Sequence, residues 1–547
     1  VGCLEVCLAP FRRTRAARFF RKHKDYIEAA GTLDAVYFVS CMGDRLWAFS
    51  IGFFIADLGG LTWVAIGQLF DSLVKAVALP QVGKVLDRVE RHLGMQIILL
   101  CNNIFIACSA ISFYFSLGKY FDEGITHVLL LAALLLNGLS RVASEAQRAA
   151  FMKDWIIVIV DESKVGKLST HNTVCTAIDQ LAAFFSPILA GYAMMGIGKA
   201  NTALCFMAWN VVSWALESMI VRRLFIRTPA LHVRGEKEHE ATPDDSCANS
   251  TGSLMVYIRQ KCFRPAFALA LLFMTVLGFD NIAIAYGNDQ GLSPETLGNF
   301  RSAGALIGFI GVWCYKLLDV RKVHVVAIGA IGLVLQNVFL SLTTVSVFLP
   351  GNDFDLGGYL ENKTIAGWVD DAYGAIVSGK KETTDGQEKS FEWMWHNSTS
   401  LLFFFLGITF ARFGLWMADP AIQEIMQETI PEKERYRVNL TQNSIQEFFS
   451  VLKDILVIMF PLAATFGCLV LMSTTFVFAG MLLYLSYFVT EGFPCKREKV
   501  RPEEEEMVPK LEFNVIEDGV HPELIELLEK GDVEKEAPLQ TNRTDAL

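Results

Sequence analysis

Blocks of some twenty mostly apolar residues recur along most of this 547-residue chain, and that repetition narrows the possible folds more than any single motif. A helix needs about 20 apolar residues to cross the hydrocarbon layer of a bilayer. In lipid, only helices and closed barrels satisfy every backbone N–H and C=O, and continuous apolar runs of this length select helices. The runs lie near 34–57, 61–82, 95–117, 125–147, 168–194 and 200–226, then near 263–287, 294–315, 322–348, 398–423, 439–464 and 466–490. Twelve spans are therefore expected, in an all-α membrane protein.

A polar stretch at 231–255 divides the spans six and six. The expected layout is a basic tail at 1–33, a six-helix lobe at 34–230, the linker, a second six-helix lobe at 256–494 containing a long loop at 349–397, and a charged tail at 495–547. Two parallel halves of six suggest the major-facilitator architecture, with a substrate path between or within the lobes. The net charge of −10 mixes a basic start with an acidic end, so it says little about partners. The 12 cysteines include no CxxC pair, and those inside apolar runs fit small buried thiols. The first apolar run is too long for a cleavable signal peptide and follows a basic segment.

Basic residues orient the stack. "FRRTRAARFFRKHK" precedes the first span, "GKVLDRVERH" follows the second and "RRLFIRTP" follows the sixth. In a twelve-span order all three fall on one side, so that side is expected to be cytosolic, with both termini inside. The long loop then lies outside, where no internal disulfide holds it and mobility is expected. Its sequons at Asn362 and Asn397 suit an outer face, whereas that at Asn249 falls on the cytosolic side.

Several ionisable residues interrupt the apolar runs, and each carries a cost of a few kcal/mol or more in lipid. In the first half they include Asp44 in "SCMGDRLWAF", Asp179 in "TAIDQLAAF" and Glu217, with the amides Asn102, Asn103 and Asn210. Asn210 and Glu217 are two turns apart on one helix face. Three carboxylates and three amides form a set of hard oxygen ligands, which favours a cation site. The alternative is interhelical pairing, the role expected of Arg45. The second half carries Asp280, Asn281, Arg412, Asp419, Glu447, Lys453 and Asp454; there Glu447 and Asp454 share a helical face, and internal neutralisation is as good an account as cation binding. Cys41 lies three residues before Asp44 and Cys175 four before Asp179, each one turn from a carboxylate. Both thiols fit metal ligation, and both fit core packing better.

The motifs "GDRLWAF", "DWIIV", "IDQL", "WNVVSWALE", "RTPAL", "FMTVLGFD", "QGLS" and "ARFGLW" resemble, in order, those of the ferroportin family of ferrous-iron exporters. The resemblance implies alternating access and a metal site in each lobe. It puts the amino-terminal metal ligands at Asp44 and Asp179, with Ala48 in place of a histidine. It puts Asn281 and Lys453 where the second lobe's cysteine and histidine belong, which leaves Asp280 and Asn281 as weak candidates there. It also implies a calcium site at Asp44, Asn102, Asn103, Asn210 and Glu217. Gate positions fall at Asn172, Gln180 and Asp154, the last paired with Arg88. The peptide hormone hepcidin is not expected to bind, since thiol and imidazole are both absent.

The expected activity is export of divalent metal, Fe2+ by family and with Mn2+ or Co2+ as related cargo, and Ca2+ as a regulator. The alternatives are a transporter of another substrate and a calcium-responsive membrane protein with little transport. No enzymatic activity, prosthetic group or nucleic-acid partner is expected. The bilayer and metal ions are the expected partners of a monomer in the plasma membrane.

Overall fold

Gly60 divides the longest helix of the protein. The computed structural model describes residues 24–163, 168–232, 250–352, 354–355, 357, 365–378, 389–460 and 462–490. Its first helix, α1, runs Lys24–Arg88, more than twice the length one crossing needs. At Gly60 the backbone turns to φ 70° and ψ −168°, a conformation open to glycine at little steric cost. The break falls between the spans expected at 34–57 and 61–82. Helices α2 (Arg91–Leu117), α3 (Glu123–Ala150), α5 (Leu168–Ile197) and α6 (Lys199–Arg227) match the next four expected spans. Between α3 and α5, a π-helical turn at Phe151–Trp155 leads into the short α4, Ile156–Ser163.

The second half opens with α7 (Ser250–Ile258), so helix begins inside the segment read as linker. The expected seventh span is not one helix. It divides into α8 (Phe263–Leu271) and α9 (Asn281–Asp289), with 272–280 outside regular helix. The freed backbone groups find partners within the protein, as an interior break in a membrane requires. Val276 N donates to Ser473 Oγ at 3.0 Å, and Asp280 Oδ1 accepts from Ile282 N and Ala283 N at 3.2 Å each. The later helices are α10 (Pro294–Val320), α11 (Val325–Val347), α12 (Ile365–Ser378), α13 (Phe391–Asn397), α14 (Thr399–Thr429), α15 (Glu432–Met459) and α16 (Ala463–Thr490). Among the described residues, nine helices are long and apolar enough to cross a membrane, the first at double length. The expected spans outside that set are the seventh, which is broken, and the eleventh, α15, whose first half is polar.

Part of the long loop, Ile365–Ser378, is the helix α12. α12 docks through Trp63 Nε1, which donates to Ile376 O at 3.0 Å, and Trp368 Nε1, which donates to Met459 O at 2.9 Å. Aromatic residues hold it because an indole N–H buried against apolar surface still finds a carbonyl.

In the first half α1 packs on α3, α5 and α6, and α2 on α3 and α6; in the second, α14 packs on α10 and α11, and α16 on α8 and α11. The α11–α14 seam is close because it is lined by glycine: a Cβ on Gly414 would lie 2.4 Å from Gln336 N, the small-residue packing that lets membrane helices touch backbone to backbone. The halves meet along α5–α10, α1–α9 and α1–α15. At the Gly60 end the contact is tight. A Cβ on Gly298 would lie 2.4 Å from Pro187 O, and Ser302 Oγ donates to Phe184 O at 2.6 Å. Beside it Asp57 accepts from Asn288 Nδ2 at 2.8 Å and pairs with Lys199 Nζ at 2.8 Å.

Candidate metal site

Asp44 and Asp179, 135 positions apart in sequence, face the same cavity of about 140 Å³. α1 supplies Tyr37, Cys41, Asp44 and Ala48 to its wall, α3 supplies Ser144 and Arg148, and α5 supplies Asp179. The spacing of the α1 group explains its common face: 37, 41, 44 and 48 follow the i, i+4, i+7 rhythm of one helical stripe. Ala48 stands where the resemblance puts an imidazole, and it also borders a second cavity of about 350 Å³ between the lobes. The two cavities share Arg45, Ala48, Arg141, Ser144 and Glu145.

The two carboxylates differ in what holds them. Among the described residues Asp44 accepts only from neutral donors: Asn102 Nδ2 at 3.1 Å to Oδ1, and Ser144 Oγ to Oδ2. Gln147 extends this network, accepting from Asn102 Nδ2 at 3.3 Å and donating to Ser40 Oγ at 2.5 Å. Asp179 receives Tyr37 OH at 3.0 Å and Cys41 Sγ at 3.2 Å on Oδ1, and Arg148 Nη2 at 2.7 Å on Oδ2. The expected role of Arg45 is thereby corrected. It makes no salt bridge among the described residues, and the ion pair at this site belongs to Arg148. A guanidinium one turn from the end of a helix gave no signal in sequence, because which helix face meets α5 is a matter of packing.

The amide set is buried and only partly satisfied. Asn103 Nδ2 and Asn210 Nδ2 donate to the carbonyls of Leu99 and Phe206 on their own helices, at 2.9 and 2.8 Å. Glu217 Oε1 accepts from Ser213 Oγ at 2.5 Å. Glu217 Oε2 and Asn102 Oδ1 are buried with no hydrogen-bond partner among the described residues. An unpaired buried carboxylate oxygen is costly, and a hard cation is one way to satisfy it. The described residues contain no group of three or more His, Cys, Asp or Glu side chains close enough to hold a metal. Cys175 is buried on α5; Cys41 Sγ donates to Asp179 Oδ1, whereas Cys175 makes no hydrogen bond to either carboxylate among the described residues.

In the second half, Lys453 Nζ lies 3.0 Å from Asp280 Oδ2 and 3.3 Å from Asp454 Oδ1. Asp454 is 1 % exposed, whereas Glu447 is exposed, so the shared face expected of them is not a shared environment. Asn281 sits against α1, where a Cβ on Gly52 would lie 3.0 Å from its Oδ1. Arg412 makes no salt bridge among the described residues and lies over the Trp416 ring.

Of the gate positions, Asp154 is paired with Arg91, whose Nε lies 3.1 Å from both carboxylate oxygens. The side chains of Arg88 and Asn172 lie outside the described residues, and Gln180 is half-buried. Asn397 is exposed at the end of α13, while Asn362 lies outside the described residues.

The family model described as Ferroportin1 (FPN1) matches residues 28–477. The chain is 28 % identical to ferroportin of Homo sapiens over 533 residues, covering 85 % of this chain and 92 % of that one. It is similar in structure to a bacterial homologue of the iron transporter ferroportin in an inward-facing state, with TM-score 0.64, 18 % identity, and coverage of 84 % and 98 %. It is similar too to a peptide transporter, POT, with TM-score 0.55, 12 % identity, and coverage of 85 % and 94 %. These likenesses establish the transporter fold expected from the two halves, one of the major-facilitator type. Family match, fold and intramembrane carboxylates agree: the chain belongs to the ferroportin family.

Proposed function

We propose that this protein exports divalent metal ions from the cell by alternating access, with ferrous iron as its main cargo and manganese or cobalt as related ones, and that the amino-terminal lobe carries the ion. The observation that carries this reading is the cavity bordered by both Asp44 and Asp179. Intramembrane carboxylates are retained at a cost that function has to justify, and two of them facing one small space suit a divalent cation.

The basic segments make the end remote from Gly60 cytosolic, with both termini inside and the plasma membrane as the site of export. In that orientation the lobes are joined at the outer end, through Gly298, Ser302 and Asp57, as in an inward-facing carrier. Asp154 with Arg91 then forms a pair at the inner mouth, and Asn172, Gln180 and Arg88 belong to the same gate. In this reading the carboxy-terminal lobe takes no metal, because the Lys453 ammonium holds the position a cation would fill. With Asn281 and Lys453 offering neither thiol nor imidazole, hepcidin has no purchase. The protein works as a monomer in the bilayer.

A second reading concerns calcium. The unsatisfied Glu217 Oε2 and Asn102 Oδ1 favour a regulatory Ca2+ held by Asp44, Asn102, Asn103, Asn210 and Glu217. Calcium and transported metal would compete for Asp44.

Efflux from proteoliposomes loaded with Fe2+, Mn2+, Co2+ or Ca2+ tests both readings. Asp44→Asn is expected to insert normally and to lose at least tenfold in transition-metal efflux. Normal efflux by that variant overturns the site. Tight calcium binding without transition-metal flux would leave the calcium reading alone, and no flux of any metal would point to another substrate.

A further inference from the structure

We propose that Arg148 is a tethered counter-cation, which neutralises Asp179 while the carrier is empty and swings away when metal binds. The inference rests on the metal-export reading above.

Both oxygens of Asp179 are occupied. Oδ1 receives Tyr37 and Cys41, and Oδ2 receives Arg148 at 2.7 Å. Oδ2 could accept a second contact, but a divalent ion placed there would lie beside the Arg148 guanidinium and be repelled by it. Tyr37 and Cys41 are buried at 5 % and 8 % exposure, whereas the Arg148 side chain is 46 % exposed at the cavity wall. Arg148 is therefore the donor with somewhere to go. It also stands just before the π-helical turn at Phe151–Trp155, an irregularity that often marks functional helix segments.

A second carboxylate is within its reach. Glu145 precedes Arg148 by three positions on α3, a spacing that makes neighbours on a helix surface. It borders the same cavity and lies within electrostatic reach of the guanidinium. When metal takes Asp179, Arg148 can turn to Glu145.

The charge balance makes the device useful. In the empty state, Arg148 cancels Asp179, so of the two site carboxylates only Asp44 is left without a paired cation, in an interior where each uncompensated charge is expensive. In the loaded state, one M2+ offsets Asp44 and Asp179 together, and Arg148 with Glu145 remains neutral. Lys453 contrasts with it: it borders the cavity of about 350 Å³ but is 8 % exposed and is held by two carboxylates, Asp280 and Asp454, rather than one. One lobe thus carries a half-exposed basic side chain on one carboxylate, and the other a buried one clamped between two.

The test measures binding and two modes of transport with Co2+ as the probe. Arg148→Gln removes the competitor, so the Co2+ dissociation constant is expected to fall about tenfold, equivalent to about 1.4 kcal/mol. Co2+/Co2+ exchange across proteoliposomes should persist, because loaded carriers still move. Net efflux should fall at least fivefold, because the empty carrier returns with Asp179 uncompensated as well as Asp44. Arg148→Lys should restore net efflux. Unchanged affinity and unchanged net efflux in Arg148→Gln overturn the proposal. Should that variant not fold, the wild-type protein decides: saturating Co2+ should raise the reactivity of Arg148 toward phenylglyoxal, read by mass spectrometry, and no rise overturns it. If the wild type binds no transition metal at all, the export reading fails instead, which the same titration detects.

Discussion

Replacing Lys453 by methionine keeps much of the side-chain volume and removes the charge from between two carboxylates. The ammonium is 3.0 Å from Asp280 Oδ2 and 3.3 Å from Asp454 Oδ1, with side-chain exposures of 8 %, 29 % and 2 % for lysine and the two acids. Each contact has a Coulomb energy of about 5 kcal/mol at an effective dielectric of about 20, partly offset by desolvation. Breaking such a buried pair costs about 3–5 kcal/mol, because the partners stay buried and uncompensated. Asp280 keeps the N–H groups of Ile282 and Ala283 on Oδ1; Asp454 loses its ion-pair partner. With an unfolding entropy of about 2.1 cal/mol/K per residue, a lobe of about 240 residues loses about 6–10 °C in Tm. The assay is thermal unfolding of purified protein in detergent, followed with a thiol-reactive fluorophore. Mn2+ should then restore part of the loss, since a divalent ion bridging the vacated carboxylates at 100 times its Kd contributes about 2.7 kcal/mol. A Tm within about a degree of wild type refutes the energetic argument. A fall in Tm that Mn2+ does not reverse beyond its effect on wild type refutes the view that Lys453 stands in place of an ion.

Other outcomes follow from single contacts. Gly298→Val puts a branched side chain where even a Cβ would be 2.4 Å from Pro187 O; it should hold the lobes apart at that end and raise impermeant maleimide labelling of Asn288→Cys several-fold, and unchanged labelling would show that the contact does not close the path. Cys41→Ser with Cys175→Ser should leave Co2+ and Ca2+ binding within about twofold if the thiols only pack, while selective loss of Co2+ affinity would make them ligands. Enzymatic deglycosylation should shift the mobility of the protein through Asn362 or Asn397 and not Asn249; sugar on Asn249 would reverse the assigned orientation. Hepcidin at nanomolar concentration should leave metal efflux unchanged, and a metal-dependent response would contradict the roles given to Asn281 and Lys453.

Much of the architecture is legible in the chain alone, because lipid imposes one rule on every crossing segment: backbone groups must pair within the segment, so apolar length reads directly as helix. That rule located ten spans, flagged Asp44, Asp179 and Glu217 as groups needing a purpose, and, with the ordered motifs, pointed to the family. It failed where polar groups are satisfied by other parts of the fold. The break at 272–280 depends on Ser473, some 200 positions away, and the polar α15 is accommodated by its packing against α1. The partners of the intramembrane charges were likewise invisible. Arg45 adjoins Asp44 in sequence, yet the ion pair at this site joins Arg148 to Asp179, and Asp154 meets Arg91. Spacing along a helix states which residues share a face, but only the packing of helices decides which faces meet, and hence which buried charge is neutralised and which is left for an ion.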